Sequence, residues 1–358
     1  MAPTPGGFDI KELMETCVKE NASDLHLTVG RPPILRKHGR LVDTPGRKVL
    51  APEDTEGLVK QMAPERSWKE AQEIGSADFA VAHSPAARFR VNIYRQKGFW
   101  GAACRLIPSK LLSFEEIGLA DTVKELITRP RGLVLVTGPT GSGKTTTMAT
   151  MVNYLNQNFD RHIVTIEDPV EYYHSHDKSM IMQRELHVDV PSFAEGMRRA
   201  LRQDPNIILL GEMRDLETIG AAITAAETGH LVLATLHTTG AARTVDRIID
   251  AFPVEAQEQI RAQLSVSLIA VISQVLLPRC DKPGRVAAFE IMIMNPAIEN
   301  HIRKNETFKI TSVIQTSRRQ GMCLLDDHLL ELFKAGRIDR DTALRAAVSP
   351  KDLEPKLV

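Results

Sequence analysis

The spacing of apolar residues changes character part-way along this chain of 358 residues. In the first stretch the periods are mixed. Asp9 to Glu20 repeats at helical spacing, and Asp24-Leu25-His26-Leu27-Thr28-Val29 alternates as a half-buried strand does. After the turn Arg31-Pro32-Pro33, the run Ile34 to Leu41 predicts a further strand. Pro52 to Ile74 is helical and is broken at Pro64, which cannot continue a helix. Strand patterns follow at 78–82, 88–96 and 99–107, so the first ~107 residues predict an α+β domain. Pro108-Ser109-Lys110-Leu111-Leu112-Ser113 predicts a linker, and Phe114 to Thr128 a helix broken at Gly118.

From Arg131 onward, near-continuous apolar runs at 133–137, 162–166, 206–210 and 231–236 are separated by helix patterns. Runs buried on both faces and joined by helices predict a parallel sheet in an α/β domain. The apolar stretch Ala262 to Leu277 predicts a buried helix. It is too short to span a bilayer, and Gln263, Ser265, Ser267, Ser273 and Gln274 interrupt it. Beyond Ala288 the pattern is mainly helical. The expected division is therefore a domain at 1–107, a linker at 108–118 and a second domain at 119–358, whose part from about 289 is helical.

Composition changes this picture little. Hydrophobic residues make up 43% and charged residues 25%, with a formal net charge of zero, ordinary values for a globular protein. Zero net charge gives no bulk attraction to nucleic acid or an anionic membrane. Cys17, Cys104, Cys280 and Cys323 are too scattered for a CxxC zinc knuckle and suit a reducing compartment. The N-terminal MAPTPGGFDIKELME lacks the basic and apolar regions of a signal peptide. A cytoplasmic location is expected, free or peripheral to a membrane-bound assembly.

The chemistry begins at Gly138-Pro139-Thr140-Gly141-Ser142-Gly143-Lys144-Thr145, directly after the apolar run 133–137. This is the phosphate-cradling pattern GxxxxGK[ST] between a strand and a helix pattern. The bare pattern arises by chance about once in a hundred chains of this length. Backbone N–H groups of 139–144 and the following helix N-terminus, reaching Thr146, are expected to hold phosphates. Lys144 neutralises β/γ oxygens, and the Thr145 hydroxyl suits Mg2+. ATP and Mg2+ are the cofactors this predicts.

In open α/β sheets ligands bind at the carboxyl ends of strands. Glu167 and Asp168 follow one apolar run, Gly211 and Glu212 the next, and His237 the last. A solvated strand end is the plain alternative for each taken alone; their coincidence beside a phosphate loop points to a site. Glu212 stands where a carboxylate must orient the attacking water. Gly211 occupies the place of the usual magnesium-binding Asp, which puts weight on Glu212, and on Glu167 or Asp168, for metal and water. His237 is placed to sense the γ-phosphate, or to cap backbone.

The strand 88–96 carries Arg88, Arg90, Asn92 and Tyr94 on one face. A two-residue turn at Lys97-Gly98 pairs Arg90 with Arg105, on the same face as Arg88. Like charges facing each other on a sheet repel. Either the face is solvated with splayed side chains, or an anion offsets the repulsion. The second reading makes Arg88, Arg90 and Arg105 arginine fingers toward a triphosphate, in trans from a neighbouring subunit.

With these residues in place, the chain resembles the bacterial secretion ATPases of type II and type IV pilus systems, most of all their pilus-retraction subgroup. The likeness runs from Ala22-Ser23-Asp24-Leu25-His26-Leu27 to the C-terminal helices. The family's Walker A box matches Gly138–Thr145, and its Asp box Thr165-Ile166-Glu167-Asp168-Pro169-Val170-Glu171. Its Walker B box matches IILLGEMRD, Ile207 to Asp215, including the Gly. Its His box matches Gly229 to His237, with His230 and His237. The resemblance implies a PAS-like N-terminal domain and a RecA-like ATPase domain. It also implies a homo-hexameric ring at the cytoplasmic face of the inner membrane, an inner-membrane platform protein as partner, and N-terminal arginines reaching the phosphates. Where the retraction subgroup carries AIRNLIRE, residues 297–304 read AIENHIRK, differing at Glu299, His301 and Lys304. That leaves an accessory paralogue open beside the principal motor. Extension ATPases carry an extra N-terminal domain and a zinc-binding tetracysteine; neither is read in these 358 residues, so the retraction subgroup is the expectation. A nucleic-acid translocase would need aromatic stacking residues, against an aromatic content of 5%.

Overall fold

The computed structural model describes residues 3–37, 39–44, 46–84, 87–108 and 110–357. Met1 and Ala2 of the N-terminal segment, His38 of the predicted strand Ile34 to Leu41, and Ser109 of the predicted linker lie outside them. The chain forms two compact units, Met1–Lys110 with Pro169–Tyr173, and Leu111–Asp168 with His174–Val358.

The first unit is built on β1 (Asp24–Leu27), β2 (Ile34–Lys37), β3 (Arg40–Asp43), β4 (Ser76–Ser84), β5 (Ala87–Gln96) and β6 (Phe99–Pro108). They form one antiparallel sheet in the order β3-β2-β1-β6-β5-β4. The run Ile34 to Leu41 is thus two strands rather than one: Ile34 pairs with Asp43 across a hairpin, with Gly39 at φ 81 inside it. Helices Ile10–Lys19 and Pro52–Met62 bury Leu13, Met14, Leu58 and Val59 in a core with Leu25, Phe89, Val91 and Ile93. Pro64 separates Pro52–Met62 from Glu65–Ile74 as the pattern predicts. On β5 burial alternates strictly, Phe89, Val91 and Ile93 inward and Arg88, Arg90 and Asn92 outward. The β5–β6 turn has Lys97 at φ 51 and Gly98 at φ 83, the left-handed pair that a two-residue hairpin requires. That turn sets the register, and Arg90 does face Arg105.

The second unit holds β7 (Gly132–Thr137), β8 (His162–Glu167), β9 (Met180–Glu185), β10 (Ile207–Leu210), β11 (Leu231–Leu236), β12 (Leu268–Pro278) and β13 (Arg285–Ile293). The order is β13-β12-β7-β11-β10-β8-β9, parallel throughout except for β13. β7, β10 and β11 are buried along their whole length, which is why they read as unbroken apolar runs.

The predicted helix Ala262 to Leu277 is corrected. The helix Val254–Ser267 ends where β12 begins. Leu268-Ile269-Ala270-Val271-Ile272 is buried on both faces, and an apolar run of that kind has no period to separate strand from helix. The expected helical tail is likewise delayed, because β13 runs to Ile293 before the helix Pro296–Arg303 opens. β9, at the sheet edge, has no counterpart in the pattern of the sequence; its Met180 and Met182 are half exposed. Among the described residues, no helix is long and apolar enough to cross a membrane.

Candidate functional site

Parallel pairing brings several strand ends to one edge. Thr137 ends β7 opposite Leu236 of β11, and Leu210 of β10 lies between Ala234 and Ile166. The phosphate-type loop, Glu167-Asp168, Gly211-Glu212 and His237 therefore leave the sheet side by side. His230 does not join them. It precedes the first residue of β11, and six strand residues at about 3.3 Å each put it ~20 Å away, at the opposite edge.

The loop Gly138–Gly143 turns on glycines at φ 145, 80 and 91 for Gly138, Gly141 and Gly143, a conformation that side chains with a Cβ resist. Gly143 caps the helix Lys144–Asn158, whose first N–H groups have no partner within the helix. Pro139 carries no N–H, and the Ser142 amide donates to the Pro139 carbonyl at 3.2 Å. The outward donors are thus fewer than a count over 139–144 suggests. Lys144 Nζ donates to the carbonyls of Gly138 at 2.8 Å and Pro139 at 3.1 Å. Burial pushes its pKa below the ordinary lysine value, with the Glu212 charge opposing.

Glu212 is nearly buried, its side chain 12% exposed. It accepts from Arg214 at 2.5 Å on Oε1 and from His237 Nε2 at 3.3 Å on Oε2. The carboxylate is so joined to the end of the neighbouring strand, and its remaining lone pairs can still accept from a water. Arg214 is not singled out by the motif pattern, although Glu and Arg two apart at a strand end are a visible signal. Gly211 has its own reason: a Cβ there would come within 3.3 Å of Glu167 Cα and of the Ile166 carbonyl.

Glu167 and Asp168 differ sharply. Glu167 Oε1 accepts from Thr165 Oγ1 at 2.6 Å and Gln183 Nε2 at 3.2 Å, so β8 and β9 aim it. Asp168 is exposed and within the electrostatic reach of Arg214.

In the first unit the three arginines of the β5–β6 face have separate fates. Arg105 Nε meets Asp24 Oδ1 at 3.0 Å, and Arg36 approaches the other oxygen at 3.6 Å. Burial would raise the Asp24 pKa, but the hydrogen bonds from Ser23 and Arg105 hold it below the usual carboxylate range. Arg88 donates to the Val170 carbonyl at 3.0 Å and lies 3.6 Å from the Tyr173 ring centroid. Both partners belong to the same compact unit as Arg88. Arg90 is exposed, and among the described residues no ion pair is formed by it. The offsetting anion for Arg105 is therefore Asp24 of the same chain, and Arg90 is the charge still open to a partner.

The donor set suits a nucleotide and a hard cation. Thr145, Glu167 and Glu212 supply oxygen atoms only. Ser142 Oγ and Thr137 Oγ1 are buried with no hydrogen-bond partner among the described residues. Among the described residues, no cluster of three or more His, Cys, Asp or Glu could hold a metal by itself. Two of the three departures from the subgroup motif, both in the helix Pro296–Arg303, make pairs of their own, Glu299 with Arg303 and His301 with Glu306.

Comparison with known proteins bears on this arrangement. Residues 100–327 match the family described as type II/IV secretion system protein. The chain is 48% identical over 347 residues to the type IV pilus retractation ATPase PilT of Pseudomonas aeruginosa, covering 96% of this chain and 100% of that one. It is 47% identical to a twitching motility protein of Neisseria gonorrhoeae, over 97% of this chain and 92% of that one. A crystal structure of the pilus retraction motor PilT with bound ADP superposes with a TM-score of 0.91 at 44% identity, covering 97% of this chain and 99% of that one.

Proposed function

We propose, because this chain belongs to the type II/IV secretion system protein family, that it is a motor ATPase whose hydrolysis of ATP drives retraction of a type IV pilus. The observation that carries this reading is the convergence at one sheet edge of a glycine-turned loop with Lys144, and of Glu212 joined to His237. A relative at 48% identity is named as a retraction ATPase, and a solved neighbour holds ADP. A RecA-like core with an N-terminal domain is the architecture of that neighbour.

The residues divide the work. Amides of the loop and of the first helical turn between Thr140 and Thr146, other than that of Ser142, hold phosphate oxygens, and Lys144 neutralises their charge. Glu212 accepts a hydrogen bond from the attacking water and orients it, while His237 keeps that carboxylate in place and lies near the γ-phosphate. Mg2+ would supply positive charge against the phosphates, and Thr145, Glu167 and Glu212 are the protein oxygens that would hold it, partly through water. Arg90, with Arg88 and Arg105 beside it, acts as a finger on the nucleotide of a neighbouring copy in a homo-hexamer. The ring works peripherally at the cytoplasmic face of the inner membrane against a platform protein of the pilus, without nucleic acid.

Phosphate release by the purified chain with ATP and Mg2+ tests the reading. Turnover is expected and is not increased by DNA; absence of turnover, or stimulation by DNA, overturns it. Arg90→Ala should lower kcat by on the order of 10³ with little loss of nucleotide affinity. Unchanged turnover in that variant removes Arg90 from the finger role and leaves it a solvated surface charge.

A further inference from the structure

Two adjacent residues of β12 reach the two loops of the site from opposite faces of the strand. Successive side chains on a strand point to opposite sides. Ser273 Oγ accepts from the Gly240 amide at 2.9 Å, just beyond His237. Its cross-strand partner Glu290 accepts from the Ala241 amide at 2.7 Å, capping the helix Ala241–Asp250. Gln274 turns the other way. Its Nε2 donates to the Ser142 carbonyl at 2.6 Å, and its Oε1 accepts from Thr147 Oγ1 at 2.8 Å.

Those two bonds straddle the junction between loop and helix, with Gly143 and Lys144 between their ends. Gln274 is 1% exposed, and Ser142 and Thr147 are 2% exposed each, so neither bond is in competition with solvent. The backbone is equally close: a Cβ at Gly138 would fall 2.2 Å from the Gln274 carbonyl oxygen, and one at Gly143 3.2 Å from its Nε2. Packing alone would be met by leucine or methionine at this position. A buried amide is costly unless both its ends are paired, and here both ends are spent on the phosphate loop and its helix.

We propose that Gln274 is a positioning residue for the phosphate-binding loop, and that with Ser273 it sets the spacing between that loop and the segment carrying His237. Nothing in the GxxxxGK[ST] pattern specifies it. The inference rests on the nucleotide-binding reading above, and deepens it by assigning the strand that aligns the phosphate amides with the γ-phosphate side of the site. Misplacement of such groups by about 1 Å can cost on the order of a hundredfold, more than the loss of one hydrogen bond accounts for.

The test uses the full chain and the fluorescent nucleotide mant-ADP, with steady-state ATP hydrolysis alongside and thermal unfolding as a check on folding. Gln274→Met, which keeps the volume and removes both bonds, should weaken mant-ADP about tenfold and raise KM for ATP by a similar factor, with kcat falling less. Thr147→Val should act in the same direction, and Thr147→Ser should recover most of the affinity that Thr147→Val loses. The double variant Gln274→Met/Thr147→Val should be no worse than Gln274→Met, since the two residues act through one bond network. Mant-ADP affinity of Gln274→Met within twofold of the unmodified chain, or full additivity in the double variant, overturns the proposal. If Gln274→Met does not fold, the Thr147→Val and Thr147→Ser pair decides alone: loss with recovery supports it, and no loss overturns it. Failure of the unmodified chain to bind mant-ADP instead overturns the nucleotide reading itself.

Discussion

Lys144→Ala should weaken nucleotide binding on the order of a hundredfold. The lysine is the one cation of the loop, and its ammonium is held over the loop by the Gly138 and Pro139 carbonyls. Burial lowers its pKa, a cost that an anionic phosphate reverses on binding. A charge-assisted hydrogen bond to a partly desolvated phosphate contributes about 3 kcal/mol, which is on the order of a hundredfold in Kd. The pH dependence has a definite sign. Binding favours the protonated amine, so affinity is full below the lowered pKa of the free protein and falls as pH rises through it, earlier than for an ordinary lysine. Titration of mant-ADP against pH checks both points: the unmodified chain should lose affinity at alkaline pH, and Lys144→Ala should be weak and flat. Tight binding by Lys144→Ala removes the phosphate-loop assignment.

Glu212→Gln should separate binding from hydrolysis. The amide keeps the size of the side chain and an oxygen to accept from Arg214 or His237, which now contact it at 2.5 Å and 3.3 Å. What it loses is the negative charge that orients the water and takes its proton, a contribution of about 10²–10⁴ in rate. The expected result is mant-ADP affinity within a few-fold of the unmodified chain and phosphate release reduced by that factor. Near-normal turnover moves the role to Asp168, which is exposed, or to Glu167, whose Oε1 is already engaged by Thr165 and Gln183.

Much of this site was legible because its signals are local. The loop Gly138–Thr145 needs only consecutive residues to declare itself, and the apolar runs before Glu167, Gly211 and His237 are strands because they are short, buried on both faces and spaced by helices. The Arg90–Arg105 pairing followed from a two-residue turn at Lys97-Gly98, since turn length sets hairpin register. The same local reasoning misassigned 268–277, where burial on both faces erased the period, and joined β2 to β3, where Gly39 folds an apparently continuous run.

The sequence by itself determined that the chain carries a GxxxxGK[ST] loop at the end of a strand of a parallel sheet, with acidic and histidine strand ends beside it. Chemistry of that kind is written in residue type and short spacing. Only the tertiary structure decided which groups are free to act. Arg105 is taken up by Asp24, which is 81 positions away, and Arg88 by Val170, 82 away. Gln274 reaches Ser142 across 132 positions. Such partners are chosen by sheet order and strand register, and those depend on packing the whole core at once; no period along the chain encodes them.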